Sequence, residues 1–116
     1  MQRPIVYQDQ TDLTAGQTIN NVVESNRLVQ LPRSGFLTVY LNGSATGMRA
    51  SCVIGNDEVL TDSAVNGFNR QIEADKDFLV TRIPVMAGER VTLKISNPTA
   101  GTLTAFYRLV LKPVGR

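Results

Sequence analysis

One carboxylate stands where it could do chemistry. Asp62 heads the tripeptide Asp62-Ser63-Ala64, behind the run Glu58-Val59-Leu60-Thr61. A carboxylate in a turn that closes an apolar strand suits general acid–base work when a second carboxylate shares its proton. The same residue types also make an ordinary turn, with Asp62 and Ser63 bonding local backbone. The acidic run Glu73-Ala74-Asp75-Lys76-Asp77 lacks the glycine and distal glutamate of a helix–loop–helix calcium site and reads as a solvated loop. Asn42-Gly43-Ser44-Ala45-Thr46-Gly47 is glycine-rich but has no Gly-Lys-Ser/Thr, so it reads as a hairpin tip and not as a phosphate cradle. Cys52 is the only cysteine, and histidine and tryptophan are absent. No His-based triad or proton shuttle can be built, and one cysteine supplies neither a Cys/His zinc site nor an internal disulfide. Cys52 falls on the apolar side of its segment and reads as core filler. No catalytic residue, cofactor or metal site is expected, and the chain is expected not to be an enzyme.

The elements that would position these residues are strands. The chain has 116 residues, the size of one domain, with 42% hydrophobic and 19% charged residues. Val, Ile and Thr number 13 + 6 + 11 = 30, against 4 + 3 = 7 for Glu and Lys. β-branched residues suit a pleated surface and lose rotamer freedom in a helix. The net charge of +2 is too small to imply a nucleic-acid partner, and the nine arginines are scattered over many segments. No apolar run approaches the roughly 18–20 residues of a membrane span. The first ten residues have no apolar leader, so synthesis in the cytoplasm is expected, with no membrane partner.

Residues 1–16 read as an N-terminal arm holding Ile5, Val6 and Leu13, with a short edge strand at Pro4–Gln8, before a single domain at 17–116. Strand-like segments follow at Gln17–Val23, Arg27–Leu31, Phe36–Leu41, Met48–Ile54, Glu58–Thr61, Ala64–Ile72, Asp77–Val85, Arg90–Ser96 and Thr102–Lys112. Eight or nine short strands with turn signals about every 8–12 residues predict an antiparallel β-sandwich or small barrel. The last two segments, joined by Asn97-Pro98-Thr99-Ala100-Gly101, predict a hairpin with Arg90 opposite Arg108.

Several strands are apolar on both sides. If Leu37, Val39 and Leu41 face a core, Phe36 and Tyr40 face away from it. If Leu79, Ile83 and Val85 face inward, Phe78 and Val80 face outward, and Phe106 and Val110 interrupt an otherwise basic strip. Residues 89–116 carry Arg90, Lys94, Arg108, Lys112 and Arg116 against Glu89, a local +4. Burial against another subunit is the expected reason for such two-faced strands. The candidate contact residues are Arg90, Phe106, Arg108 and Val110 on the sheet, and Ile5, Val6 and Tyr7 in the arm.

Two resemblances bear on these readings. The Asp62-Ser63-Ala64 turn resembles the Asp-Thr/Ser-Gly turn of retroviral-type aspartic proteases, which are small all-β homodimers. It departs from them in Ala64 and in the position of Val53-Ile54-Gly55, which precedes the aspartate. The whole layout, an arm followed by short strands and ending in Gly88–Ser96 and Thr102–Leu111, resembles the small jelly-roll structural proteins of virions, above all phage head cement or decoration proteins. That resemblance implies a homodimer or homotrimer that binds across major capsid subunits and has no catalytic activity. The alternatives are the protease-like dimer using Asp62, or a glycan- or receptor-binding spike module.

Overall fold

The structure is a computed structural model that describes residues 3–24, 29–67, 72 and 77–114. Among them the chain forms eight strands and no helix: β1 (Ile5–Leu13), β2 (Thr18–Ile19), β3 (Gly35–Gly43), β4 (Arg49–Ile54), β5 (Asp57–Ala64), β6 (Phe78–Val85), β7 (Val91–Ser96) and β8 (Leu103–Pro113). All pairs are antiparallel, and they nest: β4 pairs β5, β3 pairs β6, β2 pairs β7 and β1 pairs β8. The chain is therefore one long hairpin, rolled so that β8 also meets β3 and β7 also meets β4. Two four-stranded sheets result, β1-β8-β3-β6 and β2-β7-β4-β5. This is the expected antiparallel β-sandwich.

The hairpin's apex is Gly55-Asn56, between the paired residues Ile54 and Asp57. Gly55 sits at φ 60, where an L side chain is disfavoured, and a left-handed first turn residue matches the twist of the flanking strands. At the other end, a Cβ on Gly35 would run into the Lys112 carbonyl, so glycine lets β3 start hard against β8. Strict alternation builds the core between. Leu37, Val39, Leu41, Ala105, Leu109 and Leu111 of one sheet face Ala50, Cys52, Ile54, Val91, Leu93 and Ile95 of the other, all buried. Leu13, Val23, Leu31, Met48, Val65, Val80, Val85, Leu103 and Tyr107 complete the cluster.

Several expectations are corrected. The strands β7 and β8 form no hairpin: they lie in different sheets, and Arg90 bridges Gln30 while Arg108 pairs with Gln8 and Tyr40. Their inward rows meet across the core instead of side by side, and alternation is the same in both cases. The expected arm is largely β1, paired with β8 without interruption from Ile5↔Leu111 to Leu13↔Leu103. Its polar residues are those of an edge strand. Gln17–Val23 yields only Thr18–Ile19, and the rest of that stretch follows β7 irregularly, with Asn21 Nδ2 donating to Val91 O at 3.1 Å. Part of Arg27–Leu31 and of Ala64–Ile72 lies outside the described residues, and Glu58–Thr61 grows into β5. Val80, expected outward, is buried. Register shifts against β3 add residues to β6 and reverse its alternation.

The crossing from β7 to β8 is held by Asn97, which is fully buried. Its Nδ2 donates to Leu13 O (3.0 Å), Thr14 O (3.2 Å) and Gly101 O (2.7 Å). Its Oδ1 accepts from Thr99 N–H (3.1 Å) and Thr99 Oγ1–H (2.6 Å). Replacing it strands several buried backbone groups at once. Asn97→Ala is expected to lower unfolding stability by about 2–4 kcal/mol, read from the urea midpoint.

Candidate docking face

The two outer faces of the sandwich differ in kind. On the β2-β7-β4-β5 sheet, side chains pointing outward include Thr92, Lys94 and Ser96 of β7 and Arg49 and Ser51 of β4, with Val53 as the apolar exception. A shallow polar cleft of about 360 Å³ lies there, lined by Arg49, Ser51, Glu58, Thr61, Asp62 and Lys94 among others. Asp62 sits in it at φ 43, where β5 bulges away from β4. Its backbone N–H donates to Ser51 Oγ at 2.8 Å. Its carboxylate meets Arg49 Nε at 3.2 Å, and its own carbonyl accepts from Arg49 Nη2. The side chain is 71% exposed. This carboxylate is exposed, and its ion-pair partner within the chain is a guanidinium.

The β1-β8-β3-β6 sheet presents a mixed aromatic and cationic face. The ladder sets Val6 beside Val110 and Thr38, Gln8 beside Arg108 and Tyr40, and Gln10 beside Phe106 and Asn42. Phe36 pairs with Lys112 one step further along. Phe36, Tyr40, Phe106 and Val110 are half-buried, while Val6 is 48% exposed. Two of the rings, Phe36 and Tyr40, are covered in part by arginine. The Arg82 guanidinium lies 5.3 Å over the Phe36 ring, and that of Arg108 lies 5.8 Å over Tyr40. Arg108 Nε also donates to Gln8 Oε1 at 2.7 Å. Each stack is worth roughly 0.5–1 kcal/mol in water and about 2 once water is excluded. Among the described residues, Arg82, Arg108 and Lys112 lie on this side with the carboxylate of Asp12, which accepts from Thr104 Oγ1–H at 2.6 Å. The face is a preformed apolar patch with positive charge laid on it.

Of the residues singled out from sequence, the structure brings Val6, Phe106, Arg108 and Val110 together on this face. Ile5 and Tyr7 are on the same strand but point to its inner side, half-buried against the core, and the Tyr7 ring centroid is 6.3 Å from that of Tyr107. Arg90 is on the other sheet and takes no part. Sequence reasoning missed Arg82 and Gln8. Arg82 reaches Phe36 only because a bulge places it at φ 44, with its N–H donating to Thr38 Oγ1 at 3.2 Å. Gln8 shows no signal beyond its place in an alternating strand. The acidic run at 73–76 lies outside the described residues, and no group of three or more potential metal ligands occurs among those described.

Three inner titratable groups are shifted towards their neutral forms. Burial pushes the Cys52 thiol up from 9.0 to about 12. Burial, and then the nearby Asp9 carboxylate, also raise the Tyr7 phenol. Burial is the main cause raising Tyr107, whose hydroxyl donates to Val22 O at 3.3 Å. The fold favours the neutral forms, so their contribution is complete below the unfolded-state values and is lost as pH rises. The urea midpoint is expected to fall as pH increases from about 9 towards 12. Native Cys52 is expected to resist a thiol reagent at pH 8 and to react fully on unfolding. Asp62→Asn is expected to change stability by less than about 1 kcal/mol, since exposed ion pairs contribute little. The chain matches no family model, no curated protein and no solved structure.

Proposed function

We propose that this is a non-enzymatic structural protein, a jelly roll that reinforces a virus or phage capsid by binding across shell subunits as a homo-oligomer. The observation that carries the reading is the contrast between the two outer faces. One is polar, with Arg49 paired to Asp62. The other offers Phe36, Tyr40, Phe106, Val110 and Val6 as one patch under Arg82 and Arg108. Rigid aromatic anchors with arginine are the composition of binding hot spots, and the arginines become more valuable as water leaves. The partner surface has matching chemistry, apolar at its centre and carrying carboxylates at its edge.

The nested pairing of β1 with β8 through β4 with β5, closed into two four-stranded sheets, fits the eight-stranded jelly roll used in virion proteins. Symmetry supplies the mechanism. Each contact is small, and repetition around a shell raises the effective affinity well beyond that of one copy. Binding of this kind needs no titrating group, which agrees with a face built from arginine, aromatic and aliphatic side chains.

Phe106→Asp combined with Arg108→Glu tests the face. Both side chains are on the outer side of β8, so the unfolding midpoint should fall only modestly. Co-sedimentation with capsid shells from particles that carry the protein should drop at least tenfold. Undiminished binding by a folded double variant would remove this face from the reading, and a native protein that never pellets with shells would remove the capsid role.

A further inference from the structure

Four strands terminate the two sheets, and three of those edges are protected. β2 is two residues long, and beyond it irregular backbone follows β7, with Val22 N–H donating to Leu93 O at 2.9 Å. β5 and β6 are broken by register shifts, with Asp62 and Arg82 at positive φ, and β6 also contains Pro84. Short strands, bulges and edge prolines prevent a sheet from adding a foreign strand. β1 has none of these. It keeps one-to-one register with β8 through nine residues, and it contains no Pro, Gly, Lys or Arg.

The direction of its free backbone groups follows from the ladder. Thr104 N–H donates to Ser44 Oγ, and Thr104 O accepts from Ser44 N–H, so even residues of β8 turn towards β3 and odd ones towards β1. Odd residues of β1 pair with those odd residues, which leaves the N–H and C=O of Val6, Gln8, Gln10 and Asp12 pointing out of the sheet. Gln10 N–H is already met by Asp9 Oδ1 at 2.8 Å. The open part of the edge therefore runs from the start of β1 to Asp9.

We infer that this edge pairs antiparallel with β1 of a second copy of the chain, about a two-fold axis at Val6, joining two sheets into one of eight strands. The inference gives the homo-oligomer of the proposed function its contact, and it rests on that reading only in requiring a second copy. Charge and exposure select both occupant and register. Centring on Val6 places the exposed Val6 side chains against each other, Ile5 against Tyr7, and the exposed Arg3 opposite Asp9, with Pro4 opposite Gln8, where its carbonyl accepts from Gln8 N–H and it returns no donor. Opposite charges then face each other directly, which stabilises a strand pair. Asp9 already accepts from Tyr7 Oη–H at 2.9 Å and from Gln10 N–H, and a carboxylate has capacity left for a guanidinium. Centring on Asp9 instead would set two carboxylates face to face. Centring on Gln8 would require the Gln10 N–H that Asp9 covers. A two-fold pair also consumes both open edges, so growth stops at the dimer.

One strand pair buries less than the roughly 1,200 Å² of a stable complex, so the dimer should dissociate in the range of about 10–500 µM. Sedimentation velocity over that range should show the mean mass rising towards two copies, and a monomer throughout overturns the inference. Val6→Cys tests the register. Residues opposed in a hydrogen-bonded antiparallel pair have Cα atoms about 5.5 Å apart, within disulfide range, and native Cys52 is fully buried. Under mild oxidation Val6→Cys should form a linked dimer at least ten times faster than Gln10→Cys, and equal rates overturn the axis at Val6. Arg3→Glu should weaken the dimer at least tenfold, with recovery in Arg3→Glu/Asp9→Arg. A dimer indifferent to both changes overturns the pairing of Arg3 with Asp9. The Phe106→Asp/Arg108→Glu variant should still dimerise, so loss of shell binding and loss of self-pairing are read separately.

Discussion

A strand with neighbours on both sides has no freedom of register, and β8 is one of the four such strands among the described residues, with β3, β4 and β7. Its residues Leu103–Leu111 pair with β1 along one edge and Ala105–Pro113 with β3 along the other, so Ala105–Leu111 are fixed twice over. Alternation then divides its side chains without ambiguity. Leu103, Ala105, Tyr107, Leu109 and Leu111 enter the core, and Thr104, Phe106, Arg108, Val110 and Lys112 face outward. A slip of one residue would exchange the two sets, exposing five buried groups and burying two cations. The core and the candidate docking face are thus two sides of one constraint, and neither can drift without the other.

Much of the fold was legible because it rests on local rules. Period-two patterning located β3, β4, β7 and β8 to within a few residues, and glycine with asparagine marked the turns between them. What escaped depends on the third dimension. Val91, Leu93 and Ile95 alternate in the same way whether β8 lies beside them or across a core from them. The pairing of β8 with β1 and β3 sets it across the core, and the Asn97 side chain holds the crossing by tying the Leu13, Thr14 and Gly101 carbonyls together. β1 looked like an arm because an edge strand exposes as much polar surface as a tail does. On the candidate site, Phe106, Arg108 and Val110 were visible as outward breaks in a basic pattern. Arg82 was not, because a bulge puts it beside Phe36 and no propensity rule announces a bulge there.

The two sheets also handle charge differently. On the sheet containing β4 and β5, Arg49 is held by Asp62 and Thr61 donates to Glu58 at 2.5 Å, so these polar groups meet polar partners within the chain. On the sheet containing β8, Arg82 and Arg108 lie flat over aromatic rings. A planar guanidinium can stack and still present N–H groups at its edge, which an ammonium cannot do. The arginines therefore keep the patch soluble when it is alone and give it directional donors when it is covered.

The nested hairpin has a consequence for biogenesis. Ile5 leaves the ribosome about a hundred residues before its partner Leu111. Until then the first strand is unmatched on both edges, and only the apex around Gly55 can zip from local contacts. Non-local pairing of this kind folds slowly, and the waiting strand is open to association with other nascent chains. Polysomes making this protein would hold many such strands close together, so its assembly and its misassembly begin from the same segment.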